Sequence, residues 1–322
     1  FVLRYFDSRH KKVSGLTMGE NQIFNLKSNK EKKSIINCIK NLDQFRPSCW
    51  FYIVKRKFLY LNNIYFKNIK IYEDRPFVSQ ILCLAKSFKI IEKPTYMYQR
   101  FEPNTLSSGV GYIYVISHIK VIQEIGLFIN KKKKFLNKLK IKFLFNMLTR
   151  STESIFSDIV ICNSNEIIKA SKYLYKYNST ILELSNFGFK KLDFFLRKDK
   201  IINKRLLKYK SKKINVIIKK FEKLRRNNII LFCAGRIGVI ALKILTSMGT
   251  KPNIIIDNNP KFYGKKIDNV IIKNPLHLKK NFNKFSNHKI LICENDIELV
   301  NIIKLQLNKI GTKSKNISHF KF

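Results

Sequence analysis

The chain has 322 residues, of which 45 % are hydrophobic and 13 % aromatic, so it can build real cores and is excluded from the disordered polycations. At roughly 100–200 residues per domain, that length predicts two domains. Lys and Arg total 64 against 21 Asp and Glu, a formal net charge of +43, which raises nucleic-acid binding as a first reading. The excess is evenly spread, +20 over residues 1–150 and +23 over 151–322, and only 12 of the 64 cations are Arg. Arg carries the planar fork that phosphate and base recognition favour, so an evenly Lys-rich chain disfavours specific nucleic-acid readout.

Cys38, Cys49, Cys83, Cys162, Cys233 and Cys293 are scattered without a C-x-x-C pair, which predicts neither zinc site nor disulfide framework and fits a reduced, cytoplasmic setting. His10, His118, His277, His288 and His319 form no metal-binding spacing. The most apolar stretch, 110–129, is interrupted by His118, Lys120, Gln123 and Glu124, short of the roughly 18 apolar residues of a membrane helix. The expectation is a soluble or peripheral protein. With no initiator Met or signal peptide ahead of "FVLRYFDSRH", the sequence reads as lacking its N-terminal part.

Three regions follow in chain order. Residues 1–110 mix short apolar runs with turn signals: a strand-like opening, then a helical period over 75–87 starting on Pro76, then strands "FKIIEK" and "TYMYQR" around Pro94. Residues 111–228 read as helical and basic. Lys131, Lys134, Lys138 and Lys142 recur at helical spacing opposite Phe135, Leu136, Leu139, Phe143 and Met147, a pattern shared by helices that lie on anionic membranes and by Lys-coated bundle helices. Residues 190–226 hold 16 bases and 3 acids and read as a basic helical connector. Residues 229–322 alternate strands with helices: "NIILFCAG", "RIGVIALKILTSMG", "KPNIIIDNNP", "HKILICEN" and "DIELVNIIKLQLNKIG". That alternation predicts a Rossmann-like α/β domain with parallel strands.

Within "CAGRIG", Gly235 and Gly238 match the second and third glycines of a dinucleotide-binding turn, and Cys233 replaces the first. Asp257 closes the next strand, where such folds place an acid for ribose hydroxyls. The alternative is that these glycines serve only the strand-to-helix turn. The segment from Ile229 to Pro275 resembles a small Rossmann-like module found beside sugar-modifying enzymes; the resemblance implies a role with nucleotides or sugar nucleotides, NAD among them.

In the first region, "CWFYIVKRKFLYLNNIYFKNIKIYEDRPFVSQILCLAKSFKIIEKPTYMYQRFEPNTLSS" is similar to the distal half of family-2 glycosyltransferases, inverting enzymes with the GT-A nucleotide-diphospho-sugar fold. The ordered matches are Trp50, Lys55, Arg56, Leu61, Asn63, Ile64, Phe66, Glu73, Asp74, Phe77, Pro94, Tyr96, Tyr98 and Ser107. By this resemblance Asp74 is the general base and Glu73 its supporting acid. Trp50 would stack on a sugar ring, while Tyr98 or Arg100 would bond its hydroxyls. The bland alternatives are a helix-start acid for Asp74 and core packing for Trp50 and Tyr98. The family's D-x-D, which holds Mg²⁺ or Mn²⁺ against the donor, occurs nowhere in the 322 residues, and Gln99 stands where the family often has Arg.

The expected architecture is therefore α/β: a partial GT-A segment over 1–110, a basic helical region over 111–228 and a Rossmann-like domain over 229–322. The expected function is that of a glycosyltransferase fragment, inactive alone, using a nucleotide-sugar donor and a glycan or glycoconjugate acceptor and resting on the inner face of a membrane. Two other readings stand beside it. One is a non-catalytic protein using helices 130–145 and 190–226 on nucleic acid or anionic lipid; the other is an enzyme whose active part is the C-terminal domain alone.

Overall fold

The computed structural model describes residues 3–7, 12–16, 48–86, 97–100, 111–196, 198–222, 224, 228–295 and 297–321, with backbone alone for 3–7, 12–16 and 97–100. The described residues form two compact units, one ending at Lys208 and the other starting at Tyr209. The fold class is α/β.

In the first unit, β1 (Leu3–Asp7) pairs antiparallel with β2 (Lys12–Leu16) and parallel with β3 (Met97–Arg100). A 3-10 turn at Cys49–Phe51 precedes α1 (Arg56–Asn62) and α2 (Asp74–Leu84), and packs on α2. The expected "FKIIEK" strand lies outside the described residues. Helix α2 starts two residues before Pro76, because Tyr72 is left-handed (φ 69°) and turns the chain so that Asp74 enters the helix.

The remainder of this unit is a helical bundle. Its centre is α3 (Tyr112–Lys132), which buries Val115, Ile119, Ile122, Ile125 and Ile129. Helices α4 (Lys138–Ile159), α5 (Ser164–Lys176) and α6 (Asn178–Asn186) pack around it. The stretch Tyr112–Phe135 is long and apolar enough to cross a membrane, yet 61 % of its apolar window is buried within the protein. Helices α3 and α6 pack closely at Gly126, where an added Cβ would lie 2.6 Å from Thr180 Cγ2.

Between α3 and α4 the helix breaks. A 3-10 turn at Lys133–Phe135 ends the first, and Asn137 caps the second by accepting the Lys140 amide at 3.0 Å. Lys131 therefore precedes the break, Lys134 lies in the 3-10 turn, and Lys138 and Lys142 follow it. The continuous basic face expected over 130–145 does not form. Asn163 and Glu166 form a reciprocal capping box at the start of α5. Helix α7 (Asp199–Glu222) carries the basic connector across the division between the units.

The second unit contains β4 (Ile229–Phe232), α8 (Arg236–Ser247), β5 (Ile254–Ile256), the hairpin strands β6 (Lys266–Ile267) and β7 (Val270–Lys273), and the short helices α9 (Pro275–Lys280) and α10 (Phe282–Phe285). It ends with β8 (Lys289–Cys293), α11 (Ile297–Lys309) and β9 (Ile317–Phe320). The six-stranded sheet has the order β6-β7-β5-β4-β8-β9, parallel throughout except for the β6 edge. All four residues of β4 are buried, as expected of a parallel strand covered on both faces. On one face Ile230, Phe232, Ile256, Ile290 and Ile292 pack with Val300, Ile303 and Leu307. Because β4 continues to β5 on one side while β8 continues to β9 on the other, the sheet's topological switch point lies between β4 and β8.

Candidate functional site

Helix α2 begins at a crowded acidic turn. Asp74 is its first residue and Glu73 precedes it as N-cap, and both are partly buried. Burial pushes the Asp74 carboxyl up to about 6, with Glu73 acting the same way and Arg75 and the amides of Asp74 and Arg75 opposing. A helix start and an adjacent guanidinium should hold an aspartate acidic, so desolvation is the dominant influence here. The same two carboxylates raise the Cys49 thiol, after its own burial. That influence places the turn holding Cys49 and Trp50 beside Glu73 and Asp74. Trp50 is itself partly exposed.

Beneath the acidic turn, Arg75 lies over the Tyr72 ring at 4.3 Å and donates to Ser151 Oγ at 3.1 Å and, in a longer 3.5 Å contact, to His118 Nδ1. His118 is fully buried and stacks on Tyr72 with ring centroids 4.4 Å apart. A guanidinium only donates, so His118 Nδ1 is the acceptor and its ring proton sits on Nε2. Arg75 thus pins the first turn of α2 to both α3 and α4. Sequence reasoning missed Tyr72, Arg75, His118 and Ser151 as a group, since Arg75 lies 43 and 76 residues from its two partners. The signal available was local: a cation directly after the acidic pair.

Of the expected acceptor-side residues, Tyr98 and Arg100 lie on β3, opposite Tyr5 and Asp7 of β1. Their side chains fall outside the described residues, as do Pro94, Tyr96 and Ser107 in full. Among the described residues no cluster of three or more His, Cys, Asp or Glu side chains could hold a metal ion. The Mg²⁺ or Mn²⁺ of the resembling family therefore has no fitting site among them.

In the second unit the turn after β4 lies at the switch point. Cys233 occupies the first-glycine position in a left-handed conformation (φ 81°), and its amide donates to Ile256 at 2.8 Å. A Cβ on Gly238 would overlap the Cys233 carbonyl oxygen and approach Cys293 Cβ at 3.9 Å, so this glycine is required for α8 to seat against the strand ends. Gly235, the N-cap of α8, has no heavy atom within 4 Å of where its Cβ would be. Asp257 is buried; one carboxylate oxygen accepts the Ala234 amide at 2.6 Å and the other the Asn259 amide at 2.7 Å. It ties the β4–α8 turn to the turn after β5.

No family model matches the sequence, nor does any curated protein. Among solved structures, two crystal structures of RSP, one described as a Rex-family repressor and one in complex with beta-NADH, each align at 17 % identity. They cover 46 % and 47 % of this chain and 77 % of their own, with a TM-score of 0.26 in both cases. At that TM-score the likeness carries no argument, and the architecture of the second unit rests on its strand order.

Proposed function

We propose that the first unit is the acceptor side of an inverting glycosyltransferase in which Asp74 is the general base. The observation that carries this reading is a carboxylate at a helix start whose ionisation is displaced upward, to about 6, against the influence of Arg75. A base in that range is ionised at neutral pH yet basic enough to accept a proton. Asp74 takes the hydroxyl proton of the acceptor as its oxygen attacks the anomeric carbon and the nucleoside diphosphate departs. Glu73 strengthens that base, and Arg75, anchored on Tyr72, His118 and Ser151, fixes its place. Trp50 stacks on the acceptor ring, and Tyr98 and Arg100 bond its hydroxyls.

The donor diphosphate and its metal need an acidic pair that this sequence does not contain. The reading therefore predicts that coding sequence upstream of Phe1 supplies, in frame, a strand, a small-residue loop and a D-x-D. The extended protein should release nucleoside diphosphate from a sugar nucleotide in the presence of a glycan acceptor. Asp74→Asn in that protein should lower turnover about 10²–10⁴-fold. An upstream sequence without the acidic pair, or an Asp74→Asn variant as fast as the parent, would overturn it.

A second reading is favoured by the open approach to Gly235 at the switch point: the second unit binds a nucleotide, either NAD or a sugar nucleotide, with its phosphates against the start of α8. Asp257 serves there by holding the turn. Calorimetric titration of the full chain with these ligands should show binding that Gly235→Val abolishes; heats equal to those of dilution would remove this reading.

A further inference from the structure

The first unit presents an apolar and cationic platform that neither proposed site uses. Helix α1 contains Phe58, Leu59, Tyr60 and Leu61 in succession, yet it buries none of its residues. Tyr60 is 66 % and Leu61 73 % exposed, flanked by Ile53 at 74 %, Tyr65 at 58 % and Phe66 at 51 %. This is not a frayed end. Asn63 is left-handed and closes α1, its amide and that of Ile64 bonding back to the last turn, and Ile64, Ile69 and Ile71 are core residues. The following loop is held to α3 by the Lys67–Glu124 ion pair at 3.5 Å and by Lys120 donating to the Asn68 carbonyl at 3.0 Å. Phe66 stacks on Phe77 of α2 with centroids 4.0 Å apart, so the platform is fixed to the helix that carries Asp74.

The charge of the platform selects its partner. Between Ile53 and Lys70 there are five cations, Lys55, Arg56, Lys57, Lys67 and Lys70, and no carboxylate. Only Lys67 has an acidic partner among the described ion pairs. A second copy docked face to face would oppose cation with cation. An anionic bilayer offers what the platform lacks: an interfacial layer for tyrosine, leucine and phenylalanine, and a negative surface for the lysines. We propose that residues 53–67 are a membrane-docking platform that seats the first unit on an anionic lipid surface. This inference stands independently of the glycosyl-transfer reading.

The test is flotation of the full chain with vesicles of phosphatidylcholine alone and of phosphatidylcholine with phosphatidylglycerol. Binding is expected only to the anionic vesicles, falling as salt rises from about 0.1 M to about 1 M and the screening length shrinks from about 10 Å to about 3 Å. Lys55→Glu/Lys57→Glu should weaken binding about tenfold or more, and Tyr60→Ser/Leu61→Ser should weaken it at both salt levels. These positions are exposed, so unchanged circular dichroism and melting temperature certify that the variants fold. Lys138→Glu/Lys142→Glu, on α4, should bind like the parent. The proposal is overturned if no vesicle is bound or if neutral vesicles are bound equally. It also fails if the α4 variant loses binding while the α1 variants keep it, or if light scattering shows a dimer that the α1 variants dissociate.

Discussion

Asp74 separates two roles that an acid at a helix start can play. A structural aspartate there is stabilised in its ionised form, and its replacement by Asn destabilises a protein at neutral pH, by about 1 kcal/mol. Asp74 is displaced the other way, from 3.8 to about 6. Between those values the folded protein holds a proton that the unfolded chain has released, so stability falls as pH rises through the window. Above about pH 6 the penalty is fully present, and it amounts to up to about 3 kcal/mol. Asp74→Asn should therefore stabilise the first unit by about 1–3 kcal/mol at pH 8 and leave it unchanged below pH 3.8, as measured by urea denaturation at both pH values. A loss of stability at pH 8 would return Asp74 to an ordinary helix-start role. The acidic pair was singled out in the sequence through the resemblance to family-2 glycosyltransferases; the local pattern by itself showed only two acids ahead of an apolar helical period. Its support was not, because His118 and Ser151 reach Arg75 from α3 and α4, and no local pattern marks a buried histidine as the acceptor of a guanidinium.

At the level of elements, the approach of α6 to α3 is set by one glycine. An added methyl at Gly126 would stand 2.6 Å from Thr180 Cγ2 and 3.0 Å from Leu184 Cδ1, both on α6. Those side chains are held in a packed interface, so α6 must move outward or Thr180 must leave its rotamer. Gly126→Ala should cost about 1–3 kcal/mol despite the better helix propensity of alanine. Adding Thr180→Ser removes the obstructing methyl and should recover part of that loss, a coupling read from a double-mutant cycle; additive losses would show that the crossing relaxes freely. Helix existence here was legible from apolar periodicity, whereas the break near residue 135 was hidden. Lys131, Lys134, Lys138 and Lys142 keep a helical spacing straight through it, and only Asn137, as the cap of α4, marks the interruption. Periodicity reports which residues share a face if a helix continues; capping chemistry decides whether it does.

For the molecule as a whole, the division at Lys208 and Tyr209 predicts that a single unfolding free energy does not describe the chain. Each unit has its own core, the α3-centred bundle in the first and the two-faced parallel sheet in the second, and the expectation is that each loses its packing in its own transition. Gly238 provides a probe confined to the second. Its missing Cβ is what lets the Cys233 carbonyl lie against α8, and the obstacle to a side chain there is backbone that cannot turn aside. The carbonyl cannot retreat easily either. Cys233 is held by its amide bond to Ile256, and the next amide, of Ala234, is held by Asp257. Gly238→Ala should therefore cost the second unit about 3 kcal/mol or more, in the range where substitutions become diagnostic. In differential scanning calorimetry this variant should lower one component of the transition and leave the other in place, and Gly126→Ala should lower the other. If both variants move a single transition together, the two cores unfold as one cooperative body.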